Sequence, residues 1–450
     1  MANLRPNILF MHSHNTGQFV QPYGYTIPTP NLMRLAKEGV LFRKAFAAAP
    51  TCSPSRAAFL SGMFAHSAGM LGLAHRGFPM ADYEQHIARV VKANGYHTAV
   101  AGVEHTALDT ATVGYEQILS RDDTNYPETM DKLGAASAVA DFLRNYSHNE
   151  PNTPFFLSMG LNETHRPFPE AEPDRYPSED ARYLSPVTSF PDWPVTRAEA
   201  ADLRSAARIM DNAYGAVLQA LDETGLAENT VVFCFSDHGL QFPQHMCNLT
   251  DRGTAVYLLV RGPGFPQGQT IDSMVSLIDL VPTAYQACGI EVPEFVQGQA
   301  LQPLISGDVP QIHQEVFAEV NYHAAYEPMR AVRTERYKYI RRYDNRAHLV
   351  LPNVDDTPSK EFLLEHEWRQ QTREQEMLYD LLFDPHEMNN LVADPSKSGI
   401  LSELNERLDR WMTDTDDPLL ESGQVAAPMG SKINDPDGHS PRDSVIEINS

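Results

Sequence analysis

The segment Cys52-Ser53-Pro54-Ser55-Arg56 sets a thiol four residues ahead of a guanidinium. A planar guanidinium fork there can hold a nucleophile, or a nearby carboxylate, through paired hydrogen bonds. Far downstream, Asp237-His238 closes the apolar run Thr230–Ser236, and open α/β sheets carry their sites at such strand ends. Further histidines stand at His12, His14, His105, His165 and His245. Imidazole titrates near neutrality, which suits it to proton transfer. The other cysteines read differently: Cys234 and Cys288 sit in apolar runs and are packing residues. With Cys52 and Cys247 they show no CxxC spacing and no disulfide framework, so free thiols in a reducing compartment are expected.

The elements that must position these groups follow from periodicity. Asn7–His12, His97–Ala101, Phe155–Gly160, Thr230–Ser236 and Ala255–Arg261 read as strands. Pro30–Glu38, Tyr83–Asn94, Ala135–Tyr146, Ala198–Glu223 and Val275–Ala287 read as helices, the fourth ending at the cap signal Thr224-Gly225. This alternation predicts an α/β sandwich with a large mixed, mostly parallel sheet between helices. After Gly307 the texture changes: Glu315–Glu319, Met329–Arg333 and Tyr337–Arg342 read as antiparallel strands, followed by a helix near Ile400–Met412. The expected division is a catalytic α/β domain over 1–310, a small α+β subdomain over 311–420, and an irregular tail over 421–450.

Composition excludes several classes of partner. The chain has 450 residues and a net charge of -24, a field that repels nucleic acid and anionic membranes. No apolar run approaches the roughly 20 residues of a membrane span, and residues Met1 to Pro6 carry no apolar h-region. A cytoplasmic location is expected. An anionic substrate would need local positive charge at its site.

The motifs extend well beyond one pentapeptide. Arg5-Pro6-Asn7-Ile8-Leu9, Thr29-Pro30-Asn31-Leu32, Glu38-Gly39-Val40-Leu41-Phe42 and Ser61-Gly62-Met63 surround it. Glu228 to Gly239, Arg261-Gly262-Pro263-Gly264, Asp279 to Thr283, Arg330 to Tyr339 and Leu378 to Pro385 follow in order. Over residues 5 to 395 this pattern resembles the formylglycine-dependent sulfatases of the alkaline phosphatase superfamily. The resemblance implies an alkaline-phosphatase-like fold and a sulfuric ester hydrolase of arylsulfatase type acting on a small sulfate or phosphate ester. It also implies that Cys52 is oxidised to formylglycine by a formylglycine-generating enzyme, and that a divalent metal, calcium in the family, is bound. A hydrated aldehyde offers one hydroxyl to attack sulfur and a second whose collapse expels sulfate. In that register Arg56 orients the nucleophile, His105 assists breakdown of the intermediate, and His165 binds or protonates the ester oxygen.

The chain also departs from the family. Where two metal-binding aspartates are expected it has His14-Asn15, so the metal ligands expected are His14, Asn15, His238 and one carboxylate, Asp237. A hard cation prefers several charged oxygens, whereas a site with two imidazoles suits a borderline transition metal, or no metal at all, and weak or absent metal dependence is expected. Two lysines of the family are replaced by Val103 and Met246. His245 and Arg252 are then expected to supply positive charge to the substrate, with Asn15 lining the same pocket. Two other readings stand beside the sulfatase one: a phosphodiester or phosphonate monoester hydrolase on the same scaffold, and an inactive ligand-binding protein. The segment from Phe168 to Trp193, and His75 with Arg76, are candidates for the pocket mouth.

Overall fold

A computed structural model describes residues 5–121, 134–149, 153–168 and 179–449. Nine strands make the main sheet: β1 (Asn7–Ser13), β2 (Val40–Phe46), β3 (His97–Gly102), β4 (Gln117–Arg121), β5 (Phe155–Gly160), β6 (Thr230–Ser236), β7 (Ala255–Val256), β8 (Leu258–Arg261) and β9 (Gln269–Ser276). Their order is β4-β3-β5-β1-β6-β8-β2-β7, with β9 pairing β2. β4, β3, β5, β1 and β6 run parallel, while β8 is antiparallel to both β6 and β2.

Alternation within β1 explains why the sheet is covered on both sides. Ile8 and Phe10 point into one apolar cluster and Leu9 and Met11 into another. Helices α1 (Pro30–Glu38), α2 (Cys52–Ser61), α3 (Ile87–Ala93), α4 (Gly134–Asn149) and α5 (Pro194–Thr224) supply the outer layers. Phe59, Leu60, Ile87 and Val91 of α2 and α3 pack with Phe10. Leu32, Leu35, Val139, Leu143, Met210 and Val217 of α1, α4 and α5 pack with Leu9. Phe10 meets Phe156, Phe233 and Phe235 edge to face at 5.0–5.7 Å; truncating it to alanine would cost about 3–5 kcal/mol.

Some boundaries differ from the sequence reading. The helix expected at Val275–Ala287 begins only at Leu280, because Val275 and Ser276 still pair with Ala45 and Phe46 as strand. The long helix begins at Pro194, whose missing N–H suits a first turn.

Beyond the main sheet, β10 (Glu315–Tyr322), β11 (Tyr326–Thr334), β12 (Tyr337–Arg342) and β13 (Glu376–Asp380) form an antiparallel sheet. The helix Ser398–Asp414 covers it, with Trp411 stacked on Phe317 at 4.9 Å. Within 421–450, expected to be irregular, β14 (Lys432–Asn434) and β15 (Val445–Glu447) pair antiparallel. Arg76 ties this hairpin down by donating to Asn434 Oδ1 and to the carbonyls of Lys432 and Pro441. No helix among the described residues is long and apolar enough to cross a membrane.

Candidate active site

β1 and β6 pair in parallel with Ser13 opposite Ser236. The residues that leave each strand, His14-Asn15 and Asp237-His238, therefore emerge side by side at the carboxyl edge of the sheet. Asp237 Oδ1 accepts from the backbone N–H groups of Asn15 and His238, both at 2.8 Å. Its Oδ2 faces Arg56 Nη2 at 3.0 Å and His14 Nε2 at 3.6 Å. Asn15 holds a left-handed backbone, φ 59°, as does His105, φ 66°. Non-glycine residues adopt this conformation rarely, and such strain gathers at functional sites.

α2 brings the nucleophile position. Cys52 is its first residue, all ten of its residues are buried, and Ser55 donates to the Asp237 carbonyl at 2.6 Å. Pro54 lies in the first turn, where an N–H would have no helical partner anyway. Cys52 thus sits at the positive end of the helix dipole, with Sγ 4.0 Å from Asn15 Oδ1. Burial, then the Asp237 charge, push its thiol well above the usual range, so the unmodified side chain stays protonated.

Arg56 is fully buried and donates to three groups: Asp237, the Val103 carbonyl at 2.7 Å and His12 Nδ1 at 3.2 Å. Since a guanidinium only donates, His12 Nδ1 accepts, and its Nε2–H donates to Ser158 Oγ at 3.1 Å. Arg56 therefore holds the carboxylate, one of the two roles expected for it, and His12 holds Arg56.

The rings of His165 and His14 stand 4.4 Å apart, and those of His105 and His238 each lie 6.3 Å from His14. His165 Nδ1 donates to the Arg166 carbonyl and His238 Nδ1 to that of Gly239, which leaves Nε2 of each with its lone pair. His105 Nε2 lies 2.9 Å from His75 Nδ1, so the expected pocket-mouth residue touches a candidate proton carrier. Burial, as the largest cause, lowers the pKa of His14, His105, His165 and His238. All four are neutral at pH 7.

The fold thus gathers Cys52, Arg56, His14, Asn15, His105, His165, Asp237 and His238. It turns two other expected residues elsewhere. His245 donates to the Thr188 carbonyl among Phe19, Phe190 and Phe242, and burial pushes its pKa down to about 3. Arg252 donates to the His386 carbonyl, toward the C-terminal region. Residues 169–178 of the expected Phe168–Trp193 loop lie outside the described residues.

Two site neighbours had no local sequence signal. Asp355, half-buried, accepts from Gln241, and its charge acts on both Cys52 and His165. His323 is buried and senses His238, His75 and His165 electrostatically.

A calcium-type cation fits this donor set poorly. The described cluster supplies one carboxylate, Asp237, and Arg56 already shares it. Beside the Asn15 amide oxygen, the remaining donors are imidazole nitrogens and a thiol, which are softer than calcium favours.

An α/β sandwich with a nucleophile position, a strand-end Asp-His pair and clustered imidazoles at the carboxyl edge is the plan of an alkaline-phosphatase-like hydrolase. The model of the Sulfatase family matches residues 6–290, and that of the N-sulphoglucosamine sulphohydrolase C-terminal region matches 248–362. The chain belongs to the Sulfatase family, and it is a sulfuric ester hydrolase. It is 28% identical to an ulvan-active sulfatase of Formosa agariphila, over 91% of this chain and 75% of that one. It is also 28% identical to N-sulphoglucosamine sulphohydrolase of Homo sapiens, over 90% and 88%. A solved structure in complex with its substrate D-glucosamine-2-N,6-O-disulfate shares the fold at TM-score 0.68 and 18% identity, covering 94% of this chain and 100% of its own. So does a phosphonate monoester hydrolase from Silicibacter pomeroyi, at TM-score 0.67 and 19% identity, covering 92% and 97%.

Proposed function

We propose that this chain hydrolyses a sulfate ester carried by a small saccharide, using formylglycine made from Cys52 by a formylglycine-generating enzyme. The observation that carries the reading is the convergence on Cys52: ligand atoms of His14, Cys52 and His165 all lie within 4.8 Å of one another. A hydrated aldehyde at position 52 supplies a hydroxyl to attack sulfur and a second hydroxyl whose collapse releases sulfate.

The other groups manage protons and position. His165 Nε2, bare at rest, takes the proton of the hydroxyl that attacks sulfur and passes that same proton to the leaving alcohol oxygen. His105, steadied by His75, takes the proton of the second hydroxyl. Asn15 and the first turn of α2 face the entering sulfuryl oxygens with a side-chain amide and the positive end of a helix dipole. With Val103 and Met246 where lysines are expected, these two dipoles do this work. Asp355 offers a carboxylate to sugar hydroxyls at the mouth. The saccharide preference is supported by the sugar sulfates named among the relatives, and the four unpaired cysteines support a reducing, cytoplasmic setting.

The test is protein co-expressed with a formylglycine-generating enzyme, its Cys52 peptide mass, and a panel of sulfated mono- and disaccharides, an aryl sulfate and a phosphonate monoester. Aldehyde at position 52 and saccharide turnover that disappears in Cys52→Ala are expected. Turnover retained in Cys52→Ala, or confined to the phosphonate, would overturn the reading.

A further inference from the structure

The poor fit to calcium has a positive counterpart in the same donors. His14 is buried with neither ring nitrogen hydrogen-bonded, and His238 Nε2 is likewise buried without a partner. Burying an unpaired polar nitrogen costs free energy, and native proteins rarely leave several together. Ligand atoms of His14, Asp237 and His238 lie within 4.8 Å of one another, and those of His14, Cys52 and His165 form a second such set sharing His14. Around a tetrahedral zinc, ligand atoms stand about 3.3 Å apart, so small side-chain rotations would close either set on an ion.

Hydrogen bonding has prepared the imidazoles for this. His238 gives its Nδ1 proton to the Gly239 carbonyl and His165 gives its own to the Arg166 carbonyl. A carbonyl behind Nδ1 fixes the tautomer with a bare Nε2 and raises its basicity, the usual support for a metal-bound histidine. Asp237 completes the set with Oδ2, 3.6 Å from His14 Nε2, while Arg56 on the same oxygen lowers the negative charge a hard cation would need.

We infer that this site takes a borderline divalent transition metal of zinc type, held by Nε2 of His14 and His238 and by Asp237, in place of calcium. The inference goes beyond the hydrolase reading, and it holds whether or not Cys52 is converted. Cys52 and His165 flank the open side, where an unmodified thiol would add a soft ligand.

The experiment is metal titration of chelator-stripped, full-length protein, read by calorimetry with zinc and calcium and by cobalt absorption. One equivalent of zinc, a cobalt spectrum of low-symmetry nitrogen coordination, and no displacement by millimolar calcium are expected. His14→Ala and His238→Ala should each weaken zinc by at least about 100-fold. His14→Asp, which returns a carboxylate, should move selectivity toward calcium and needs no loss of fold to be informative. Calcium binding more tightly than zinc to the wild type, no zinc binding at all, or zinc binding unaltered in all three variants overturns the inference. Turnover is assayed separately: an inactive protein that binds zinc speaks against the hydrolase reading alone, and an active one that binds no zinc speaks against this inference alone.

Discussion

Arg56 Nη2 stands 3.0 Å from Asp237 Oδ2, and both side chains are completely shielded from water. The arginine of the Cys-x-Pro-x-Arg segment is thereby a positioning residue. It fixes the strand-end carboxylate in place, while the cysteine one turn earlier lies in the cluster of imidazoles. Breaking a buried pair by removing one partner leaves an uncompensated charge and costs about 3–5 kcal/mol. Arg56→Met and Asp237→Asn should each lower unfolding stability by that order, and the double variant should lose less than their sum. Urea unfolding of the three proteins measures this. Additive losses, or a loss under about 1 kcal/mol for Arg56→Met, would show that the pair does not act as a unit.

His75 and His105 are joined at 2.9 Å with their rings stacked. His105→Ala should reduce kcat by about 10² to 10⁴, the usual worth of a general acid or base. His75 acts through His105, accepting from its Nε2–H and leaving His105 Nδ1 as the base, so His75→Ala should cost less, change the pH profile of kcat, and be partly rescued by His75→Gln, which keeps an acceptor. His75 itself is held down to about 4 by burial and by Arg76, so its own titration should not appear near neutrality. Turnover unchanged in His105→Ala would remove this residue from the mechanism.

Much of this arrangement was legible in the residues. The apolar runs Asn7–His12 and Thr230–Ser236 marked two strands, and the Asp-His pair that closes the second stands at the carboxyl edge of the sheet. What was not legible depends on contacts between distant parts of the chain. Asp355 lies in an acidic loop with no catalytic pattern around it and meets the site through Gln241, 114 residues earlier. Arg252 looked available for a substrate anion, yet the adjoining loop around His386 captures its guanidinium. The tail 421–450 is polar and rich in glycine and proline, and its hairpin forms because Arg76 and Lys360 bond its carbonyls. Local composition carries none of these partnerships.

Asp355 provides a test of substrate class. A hydrogen bond from a sugar hydroxyl to a carboxylate is worth about 1.5–3 kcal/mol. Asp355→Asn should then raise KM for a saccharide sulfate by roughly tenfold or more, with little change for an aryl sulfate that has no sugar hydroxyls. Steady-state kinetics on the two substrates side by side decides the matter. Equal changes on both would mean that Asp355 acts only through the charge it sets on Cys52 and His165.

Away from the site, Glu319 sets a pH limit on stability. Its Oε1 accepts from the His66 backbone N–H at 3.0 Å and lies 2.8 Å from His66 Nδ1, and Oε2 lies 3.8 Å from Arg330. Burial opposes ionisation, but the His66 and Arg330 interactions outweigh it and hold the carboxyl down at about 2, against 4.5 when unperturbed. A carboxyl depressed in the folded state binds protons more readily when unfolded, so its stabilisation is complete above pH 4.5 and fades as pH falls toward 2. By the linkage relation the contribution at neutral pH is about 3 kcal/mol. The stability gap between wild type and Glu319→Gln, measured by urea unfolding from pH 7 down to pH 3, should therefore hold steady and then narrow in acid. A gap that widened as the pH fell would mean that Glu319 is not the ionised partner of His66 and Arg330.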